Sequence, residues 1–318
     1  MTHSVLVVMD SITSINTKKD TTFALMLEAQ GRQWQVFYCQ PKDLYLSEGH
    51  VFADCQRVTL EDNPNSWVQF VDESPKAMDC GLFSAILMRK DPPFNMNYIY
   101  STYLLELAQQ QGALVVNDPA SLRDCNEKLF TAWFPKHTPK TLVSANLQKI
   151  KTFAQQQGDV ILKPLDGMGG ASIFRVKADD PNLSVIIETL TEHGKNLAMA
   201  QQFIPEITDG DKRVLIVNGE VIPYTLARIP KKGETRGNLA AGGSGVPMPI
   251  TAEEKAIAEA IAPELVKRGL LFVGLDVIGR YVTEINVTSP TCMRELEYEF
   301  DINIGEKLFL ALEQQLSV

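Results

Sequence analysis

A strand-like run that ends in a glycine-rich loop constrains the fold of this chain more than any other feature. Residues 160–171 read V-I-L-K-P-L-D-G-M-G-G-A, which places Lys163 at a strand end beside Gly167, Gly169 and Gly170. Glycines let the backbone turn through positive φ and bring its N–H groups close to an anion, and the lysine adds a positive charge. The loop matches neither the Walker nor the dinucleotide-binding pattern. The loop therefore predicts a polyphosphate site on a nucleotide-binding fold other than those two. The alternative is a glycine-rich hairpin turn beside an exposed lysine.

Two alternating runs near the carboxyl end supply oxygen ligands. Residues 273–290 read V-G-L-D-V-I-G-R-Y-V-T-E-I-N-V-T-S-P, and Glu284 and Asn286 share one face of a strand because side chains alternate. Asp276 faces Glu284 if a three-residue connection, 279–281, joins the strands, but not if the connection has two residues; we assume the former. Such oxygens suit Mg²⁺, which takes its other ligands from water and phosphates. An ordinary solvated strand face is the alternative.

The first third of the chain alternates strand-like and helical segments. Strands are predicted at 5–9, 35–38, 85–88 and 114–116, and helices at 21–30 and 98–111. This alternation predicts a parallel, doubly wound sheet, whose ligands bind at the carboxyl edge. Two loops reach that edge, 10–20 with the exposed pair Lys18 and Lys19, and 89–93 with Arg89. Further on, a helix is predicted over 127–134, capped by Asp124 or Asn126.

Six longer motifs are spread over nearly the whole chain: M-R-K-D-P-P-F (88–94), S-L-R-D-C-N-E-K-L-F-T-A-W-F (121–134), K-P-L-D-G-M-G-G-A-S-I-F-R-V (163–176), D-G-D-K-R-V-L (209–215), A-R-I-P-K-K-G-E-T-R-G-N-L-A-A-G-G (227–243) and T-E-I-N-V-T-S-P-T-C (283–292). Together they resemble the ATP-grasp superfamily and, within it, the bacterial glutathione synthetase family. The resemblance implies an α/β chain in which an ATP-grasp fold follows a Rossmann-like, parallel-sheet domain. The implied domains are an N-terminal substrate and oligomerisation domain (1–123), a central ATP-grasp subdomain (124–202) and a C-terminal subdomain (203–318) with a lid loop at 229–245.

The resemblance also implies roles for individual residues. ATP contacts two lysines, the glycine loop, the hinge between subdomains and one aspartate for the ribose: Lys128, Lys163, Gly167, Met168, Gly169, Gly170, Gln201, Gln202, Phe203, Ile204 and Asp211. The implied catalytic residues are Arg213, Arg228, Arg236, Gly167 and Gly169, and the implied metal ligands are Asp276, Glu284 and Asn286. From composition alone Lys128 is an exposed helix lysine, Phe203 is a core residue, and the glycine-rich segment at 229–245 is either a lid or a floppy linker.

The implied reaction joins a carboxylate to an amine. With Mg²⁺, or Mn²⁺ in its place, ATP phosphorylates γ-glutamyl-cysteine, and glycine displaces phosphate from the acyl phosphate to give glutathione, ADP and phosphate. This chemistry requires no covalent protein nucleophile, and a lid that excludes water would protect the acyl phosphate. The alternatives are an ATP-grasp ligase for another acid and amine, or a non-catalytic ATP-binding module. The resemblance further implies a homotetramer.

Composition excludes several other classes of protein. The net charge of −9 and the pI near 5.1 disfavour nucleic-acid binding. Apolar runs stay far below the roughly 18 residues of a membrane span, so a cytoplasmic protein without membrane partners is expected. Five cysteines without a C-x-x-C pair and four scattered histidines disfavour both a disulfide framework and a zinc site.

Overall fold

The computed structural model describes residues 3–234, 236–237, 239 and 242–317. Residues 3–124 form an α/β unit. The strands there are β1 (Ser4–Val8), β2 (Gln35–Cys39), β3 (Leu44–Ser47), β4 (His50–Leu60), β5 (Val68–Phe70), β6 (Lys76–Asp79), β7 (Ala85–Met88) and β8 (Leu114–Val116), and the α-helices are α1 (Thr21–Gly31), α2 (Met96–Gln110) and α3 (Pro119–Asp124).

The N-terminal sheet has the order β3-β4-β2-β1-β7-β8, and β5 and β6 also pair with β4. Strands β2, β1, β7 and β8 are parallel, which confirms the predicted doubly wound core. Side chains of β1 enter two hydrophobic clusters alternately, Leu6 and Val8 in one and Val5 and Val7 in the other. Both faces of this strand are covered, which explains its continuous apolar sequence. The antiparallel strands β3 to β6 were not predicted.

Side-chain caps set the starts of the first two helices. Asp20 accepts a hydrogen bond from the backbone N–H of Phe23 at 2.6 Å, so α1 begins at Thr21 as predicted. Asn95 accepts from the N–H of Tyr98 at 3.1 Å, and α2 therefore begins two residues before the predicted position 98. Both caps lie in loops at the carboxyl edge of the parallel strands.

Two antiparallel sheets follow along the chain. Their elements are β9 (Thr141–Ser144), α4 (Leu147–Gln157), β10 (Asp159–Pro164), β11 (Phe174–Lys177), α5 (Leu183–Leu190), β12 (Ala198–Gln202), β13 (Asp211–Val217), β14 (Glu220–Ile229), β15 (Ser244–Pro249), α6 (Ala252–Lys267), β16 (Phe272–Ile278), β17 (Tyr281–Asn286), α7 (Met293–Phe300) and α8 (Ile304–Leu316). The central sheet has the order β11-β10-β12-β9, and the C-terminal sheet has the order β15-β14-β13-β16-β17.

The helix predicted over 127–134 is wrong. A short 3₁₀ helix covers only Leu129–Trp133, and the side chain of Asn126 accepts from the N–H groups of Lys128 and Leu129 at 3.2 and 2.9 Å. Asn126 rather than Asp124 therefore caps the segment. The backbone carbonyl of Glu127 accepts from the N–H of Ile285 in β17 at 2.8 Å, which ties this segment to the C-terminal sheet.

The central sheet has its own hydrophobic core, separate from that of the rest of the molecule. The N-terminal and C-terminal sheets share two hydrophobic clusters, whereas the central sheet has a cluster of its own drawn from residues between Ile150 and Ala200. All five cysteines are free and buried. Among the described residues, no helix combines the length and apolar character that crossing a membrane requires.

Candidate active site

Three oxygen-bearing side chains lie on one face of the C-terminal sheet. Asp276 in β16 pairs with Glu284 in β17, and Asn286 follows two residues later on the same face. Asn286 donates its side-chain N–H to the carbonyl of Gly274 at 3.1 Å, which turns its amide oxygen away from the strand pair. The three side chains therefore share one face of the sheet, which we call the ligand face.

The connection that produces this face differs from the one we assumed. Gly279 and Arg280 form a two-residue link, because β16 ends at residue 278 and β17 begins at residue 281. A bulge then shifts the register by one residue, with Thr283 as the extra residue of β17. The assumed three-residue connection is wrong, and the bulge is the reason that Asp276 nevertheless faces Glu284.

Asp276 is held by two buried arginines. Its Oδ1 accepts from Nε of Arg213 at 2.7 Å, and its Oδ2 lies 2.8 Å from Nη2 of Arg228. Arg228 also pairs with Oδ2 of Asp211 at 2.6 Å. Burial alone would raise the pKa of Asp276, but the two guanidinium groups outweigh burial and hold that pKa well below its usual value.

Two buried lysines flank Glu284 on the side of the central sheet. Nζ of Lys163 lies 3.6 Å and Nζ of Lys128 lies 3.8 Å from Oε1 of Glu284. Both separations are longer than a hydrogen bond allows. The lysines instead donate to backbone carbonyls, Lys163 to Thr283 at 3.3 Å and Lys128 to Gly167. Burial lowers the pKa of Lys163, while Glu284 opposes that shift. The lysines thus present positive charge beside the glycine loop.

The glycine loop has two kinds of glycine. Gly169 and Gly170 have φ values of 60° and 83°, as predicted. Gly167 does not have a positive φ, so the prediction is wrong for this residue. A glycine is needed there because a Cβ would lie only 2.9 Å from Cγ of Pro164. Met168, between Gly167 and Gly169, is 45% exposed.

A cavity opens between the central and C-terminal sheets, next to the lysines. Phe203 lies on its wall with the guanidinium of Arg175 3.6 Å from the ring centroid, so its ring is not part of a hydrophobic core. The cavity is lined by Lys163, by the hinge residues predicted for adenine (Gln201, Gln202, Phe203 and Ile204) and by the predicted ribose residue Asp211. Arg236, Asp276 and Glu284 line it as well.

Asp211 brings an unpaired oxygen to that cavity. Its Oδ2 pairs with Arg228, but its buried Oδ1 has no hydrogen-bond partner within the described part of the chain. Burial raises the pKa of Asp211 to about 6, against the opposing charge of Arg228. An acceptor of this kind is costly unless a ligand donates to it.

A second cavity lies on the other side of the ligand face and shares two residues with the first, Asp276 and Glu284. It is lined by polar groups from all three parts of the fold: Asp91, Glu127, Gly167, Gly169, Arg213, Arg228, Asp276, Glu284, Asn286, Thr288 and Cys292. The implied catalytic arginines Arg213 and Arg228 therefore face this cavity, whereas Arg236 faces the first.

The predicted lid, 229–245, is partly described. Its ends are strand, because Ile229 pairs with Ser244, and residues 235, 238, 240 and 241 lie outside the described residues. Arg236 donates to the carbonyl of Gly170 at 3.1 Å and to Oε2 of Glu234 at 2.7 Å. The segment therefore touches the glycine loop through Arg236.

Gly237 shows how closely the same segment lies over the site. A Cβ at Gly237 would come within 2.5 Å of the carbonyl oxygen of Arg228 and 2.9 Å of Cβ of Asp211. Only a glycine lets the backbone approach the arginine and aspartate this closely.

Arg89 joins the N-terminal sheet to the loop that follows β17. This buried guanidinium donates to Oγ1 of Thr22 at 3.1 Å and to the carbonyl of Pro290 at 2.8 Å, and burial lowers its pKa to about 10. Lys18 and Lys19 are exposed, as the sequence suggested.

Sequence reasoning missed Glu127 as a residue of the site. Its Oε1 accepts from the N–H groups of Val287 and Thr288 at 2.9 and 3.0 Å, and from the hydroxyl of Thr288 at 2.8 Å. Burial raises the pKa of this carboxylate. A glutamate at the start of a predicted helix carries no signal for such contacts, because Val287 and Thr288 lie 160 and 161 residues later, just beyond β17.

The ligand face suits a metal ion that arrives with a nucleotide. Within the described ranges, no group of three His, Cys, Asp or Glu side chains could hold a metal ion. Glu284 and the amide oxygen of Asn286 are oxygen ligands of the kind Mg²⁺ takes when phosphates and water complete its shell. Asp276 can join them only with an oxygen that it shares with an arginine, which the several lone pairs of a carboxylate allow.

Two family models together span almost the whole chain. The prokaryotic glutathione synthetase N-terminal domain matches residues 4–123, and the prokaryotic glutathione synthetase ATP-grasp domain matches residues 127–301. The chain belongs to the prokaryotic glutathione synthetase family. Like the family, it is an ATP-dependent ligase with the ATP-grasp fold.

Curated members of the glutathione synthetase family align end to end with this chain. The glutathione synthetases of Vibrio cholerae and Vibrio vulnificus are 62% and 61% identical over 310 residues, which is 98% of this chain and 97% of each relative. The glutathione synthetase of Escherichia coli is 56% identical over 310 residues, 98% of both chains.

Solved structures support the fold of the family at much lower identity. A D-cycloserine synthetase superposes with a TM-score of 0.66 at 14% identity, covering 98% of this chain and 99% of its own. D-alanyl-alanine synthetase A from Vibrio cholerae superposes with a TM-score of 0.60 at 13% identity, covering 100% and 99%. An ATP-grasp ligase complexed with a minimal precursor, Mg and ADP gives 0.61 at 15%, covering 99% and 98%. At these identities the likeness concerns the fold alone.

Proposed function

We propose that the ligand face carries out glutathione synthesis, with ATP in the first cavity and γ-glutamyl-cysteine in the second. The observation that supports this most directly is that the two cavities share Asp276 and Glu284. A γ-phosphate at the end of the first cavity would then meet a carboxylate in the second, with both reacting groups beside the same side chains. In-line transfer of a phosphoryl group requires such an arrangement.

The first cavity has groups for each part of ATP. Lys128, Lys163 and the backbone of residues 167–170, including Gly167, Met168, Gly169 and Gly170, would hold the phosphates. Gln201, Gln202, Phe203 and Ile204 would hold adenine, and the unpaired Oδ1 of Asp211 would accept from a ribose hydroxyl. The loose pairs between the lysines and Glu284 leave both ammonium groups able to turn towards phosphate.

Glu284 and Asn286, with a shared oxygen of Asp276, would hold Mg²⁺, or Mn²⁺ in its place. When bound, the ion neutralises charge on the transferring phosphoryl group. Arg213 and Arg228 then stabilise the acyl phosphate from the wall of the second cavity, and their ion pairs with Asp276 fix both guanidinium groups before substrate arrives.

The lid would protect this intermediate from water until the amine of glycine attacks the acyl carbon and phosphate leaves. Arg236 already contacts the glycine loop through the carbonyl of Gly170, which supports closure over the phosphates. No side chain has to form a covalent bond to substrate.

We further propose a cytoplasmic homotetramer, on the family resemblance alone. The proposed domain limits are 1–123, 124–202 and 203–318. The separate hydrophobic cluster of the central sheet, which draws only on residues within 124–202, supports the middle domain.

The test is phosphate release by the purified protein with Mg²⁺ and ATP. γ-Glutamyl-cysteine and glycine are supplied separately and together, and glutathione is measured in the same samples. Release that requires both substrates and matches glutathione formation supports the proposal. Release with another acid or amine, such as D-alanine in place of either substrate, but not with this pair would identify a different carboxylate–amine ligase. Nucleotide binding without turnover on any pair would indicate a binding module.

A further inference from the structure

Glu127 lies at the centre of the site, yet the proposed reaction assigns no step to it. Its Oε1 accepts three hydrogen bonds from Val287 and Thr288, at 2.8 to 3.0 Å. Its backbone carbonyl accepts from the N–H of Ile285 at 2.8 Å. One residue therefore fixes the backbone on both sides of Asn286. Strand β17 is the last in the order of its sheet, so its outer backbone groups need partners from elsewhere.

The residues beside Glu127 hold the opposite wall of the site. Asn126 donates from its side-chain nitrogen to the carbonyl of Leu165 at 3.1 Å, and Lys128 donates from Nζ to the carbonyl of Gly167. Three consecutive residues thus connect the glycine loop of the central sheet with the ligand strand of the C-terminal sheet. The distance between the phosphate-binding loop and the metal face depends on this connection.

We infer that Glu127 is a positioning residue, which sets Glu284 and Asn286 at the distance from the glycine loop that a shared metal and nucleotide require. The inference rests on the proposed metal site. Hydrogen bonds to an ionised carboxylate are stronger than neutral ones, so a single oxygen with three donors holds the strand firmly. Groups that orient metal ligands without touching the metal typically alter metal affinity by about 10- to 100-fold.

The test compares ADP binding by calorimetry with and without Mg²⁺ in the full-length protein. The ratio of the two affinities measures how strongly metal and nucleotide bind together. Glu127→Ala should reduce the Mg²⁺-dependent gain in ADP affinity by about 10- to 100-fold. Glu127→Gln should lose less of the gain than Glu127→Ala, because its amide oxygen still accepts hydrogen bonds, although weaker ones than the carboxylate accepts. ADP binding without Mg²⁺ should change little in either variant.

Glu297→Ala is the matched control. Glu297 accepts from the N–H groups of Ile304 and Gly305 at 2.9 and 3.3 Å, so it also fixes backbone, but it lies outside both cavity linings. Its loss should lower the melting temperature without changing the gain from Mg²⁺. A reduced gain in this variant would mean that general loosening explains the effect, and the inference would be overturned.

Two further variants keep the result decisive. If Glu127→Ala does not fold, Thr288→Val removes one donor and leaves the carboxylate in place; an unchanged Mg²⁺ gain in folded Thr288→Val then refutes the inference. Glu284→Gln separates the two proposals. If it loses the gain while Glu127→Ala keeps it, only the positioning role is wrong. If Glu284→Gln keeps the gain, the metal site and the positioning role are both wrong.

Discussion

The unpaired oxygen of Asp211 leads to a quantitative prediction for Asp211→Asn. The carboxylate divides its oxygens, Oδ2 to Arg228 at 2.6 Å and Oδ1 to the nucleotide cavity. In the variant, the amide oxygen should turn to Arg228, because the amide nitrogen and the guanidinium are both donors. The cavity then faces an N–H donor where it had a charged acceptor, so a ribose hydroxyl loses the bond it donates to a carboxylate and can only accept a weaker, neutral bond there.

The size of the effect follows from the charge on the acceptor. A hydrogen bond to an ionised group contributes about 1.5–3 kcal/mol and a neutral one about 0.5–1.5 kcal/mol, so the dissociation constant for ATP should rise about 5- to 10-fold in Asp211→Asn. Calorimetry with ATP, 2′-deoxy-ATP and 3′-deoxy-ATP measures this directly. One deoxynucleotide should bind the native protein more weakly than ATP does, and Asp211→Asn should distinguish that deoxynucleotide from ATP less than the native protein does. Equal binding of all three nucleotides by the native protein would refute the ribose assignment.

The same carboxylate predicts a pH dependence. Burial raises the pKa of Asp211 to about 6 in the ligand-free protein. Because the hydroxyl donates best to the ionised form, protonation opposes binding, and ATP affinity should be constant well above that pH and fall below it. The nucleotide titrates in the same range, so the informative quantity is the native profile minus the profile of Asp211→Asn. A difference that is flat from pH 5 to pH 8 would contradict the reasoning.

Three other substitutions test separate parts of the site. Glu284→Gln removes a direct ligand, so turnover at limiting Mg²⁺ should fall by about 100-fold or more with unchanged circular dichroism; near-normal turnover would exclude the metal role. Arg236→Ala should lower ligase turnover by about 100-fold but ATP affinity only slightly, whereas collapse of ATP binding would mean that Arg236 holds the nucleotide rather than closing the lid over it. Gly167→Ala should lower the free energy of unfolding by about 1–3 kcal/mol, because the new methyl group would crowd Pro164. The control is Gly31→Ala, whose methyl group would meet nothing within 4 Å. Equal melting temperatures for the two variants would argue against that contact.

Sequence reasoning succeeded where structure follows from local pattern. Strands β7 and β8 have the predicted limits because short apolar runs covered on both faces read as parallel strands. The motifs from 163 to 176 and from 283 to 292 indicated both walls of the site, since period-two alternation places Glu284 and Asn286 together wherever the strand lies. The hinge and the lid rest on the family resemblance and stay predictions.

It failed where structure depends on contacts between distant residues. The bulge at Thr283 changes the register of β17 without a composition signal, and the opposite conclusion about the connection would have removed Asp276 from the ligand face. Glu127 was read as part of a helix because its partners lie 160 residues later in the chain. The pairs of Asp276 with Arg213 and Arg228 likewise join residues 63 and 48 positions apart, and only the folded sheet brings them together.

The charges of the site explain why a metal should be needed for nucleotide binding as well as for catalysis. Each buried cation already has an anion nearby: Arg213 and Arg228 have Asp276 and Asp211, and Lys128 and Lys163 have Glu284. ATP brings about four more negative charges into this poorly hydrated space, and the lysines can serve the phosphates only by giving up Glu284. A divalent cation on Glu284 and Asn286 resolves the conflict, because it compensates the carboxylate and the phosphates together. ATP should therefore bind weakly without Mg²⁺, and neutralising Glu284 should improve metal-free ATP binding even as it abolishes turnover.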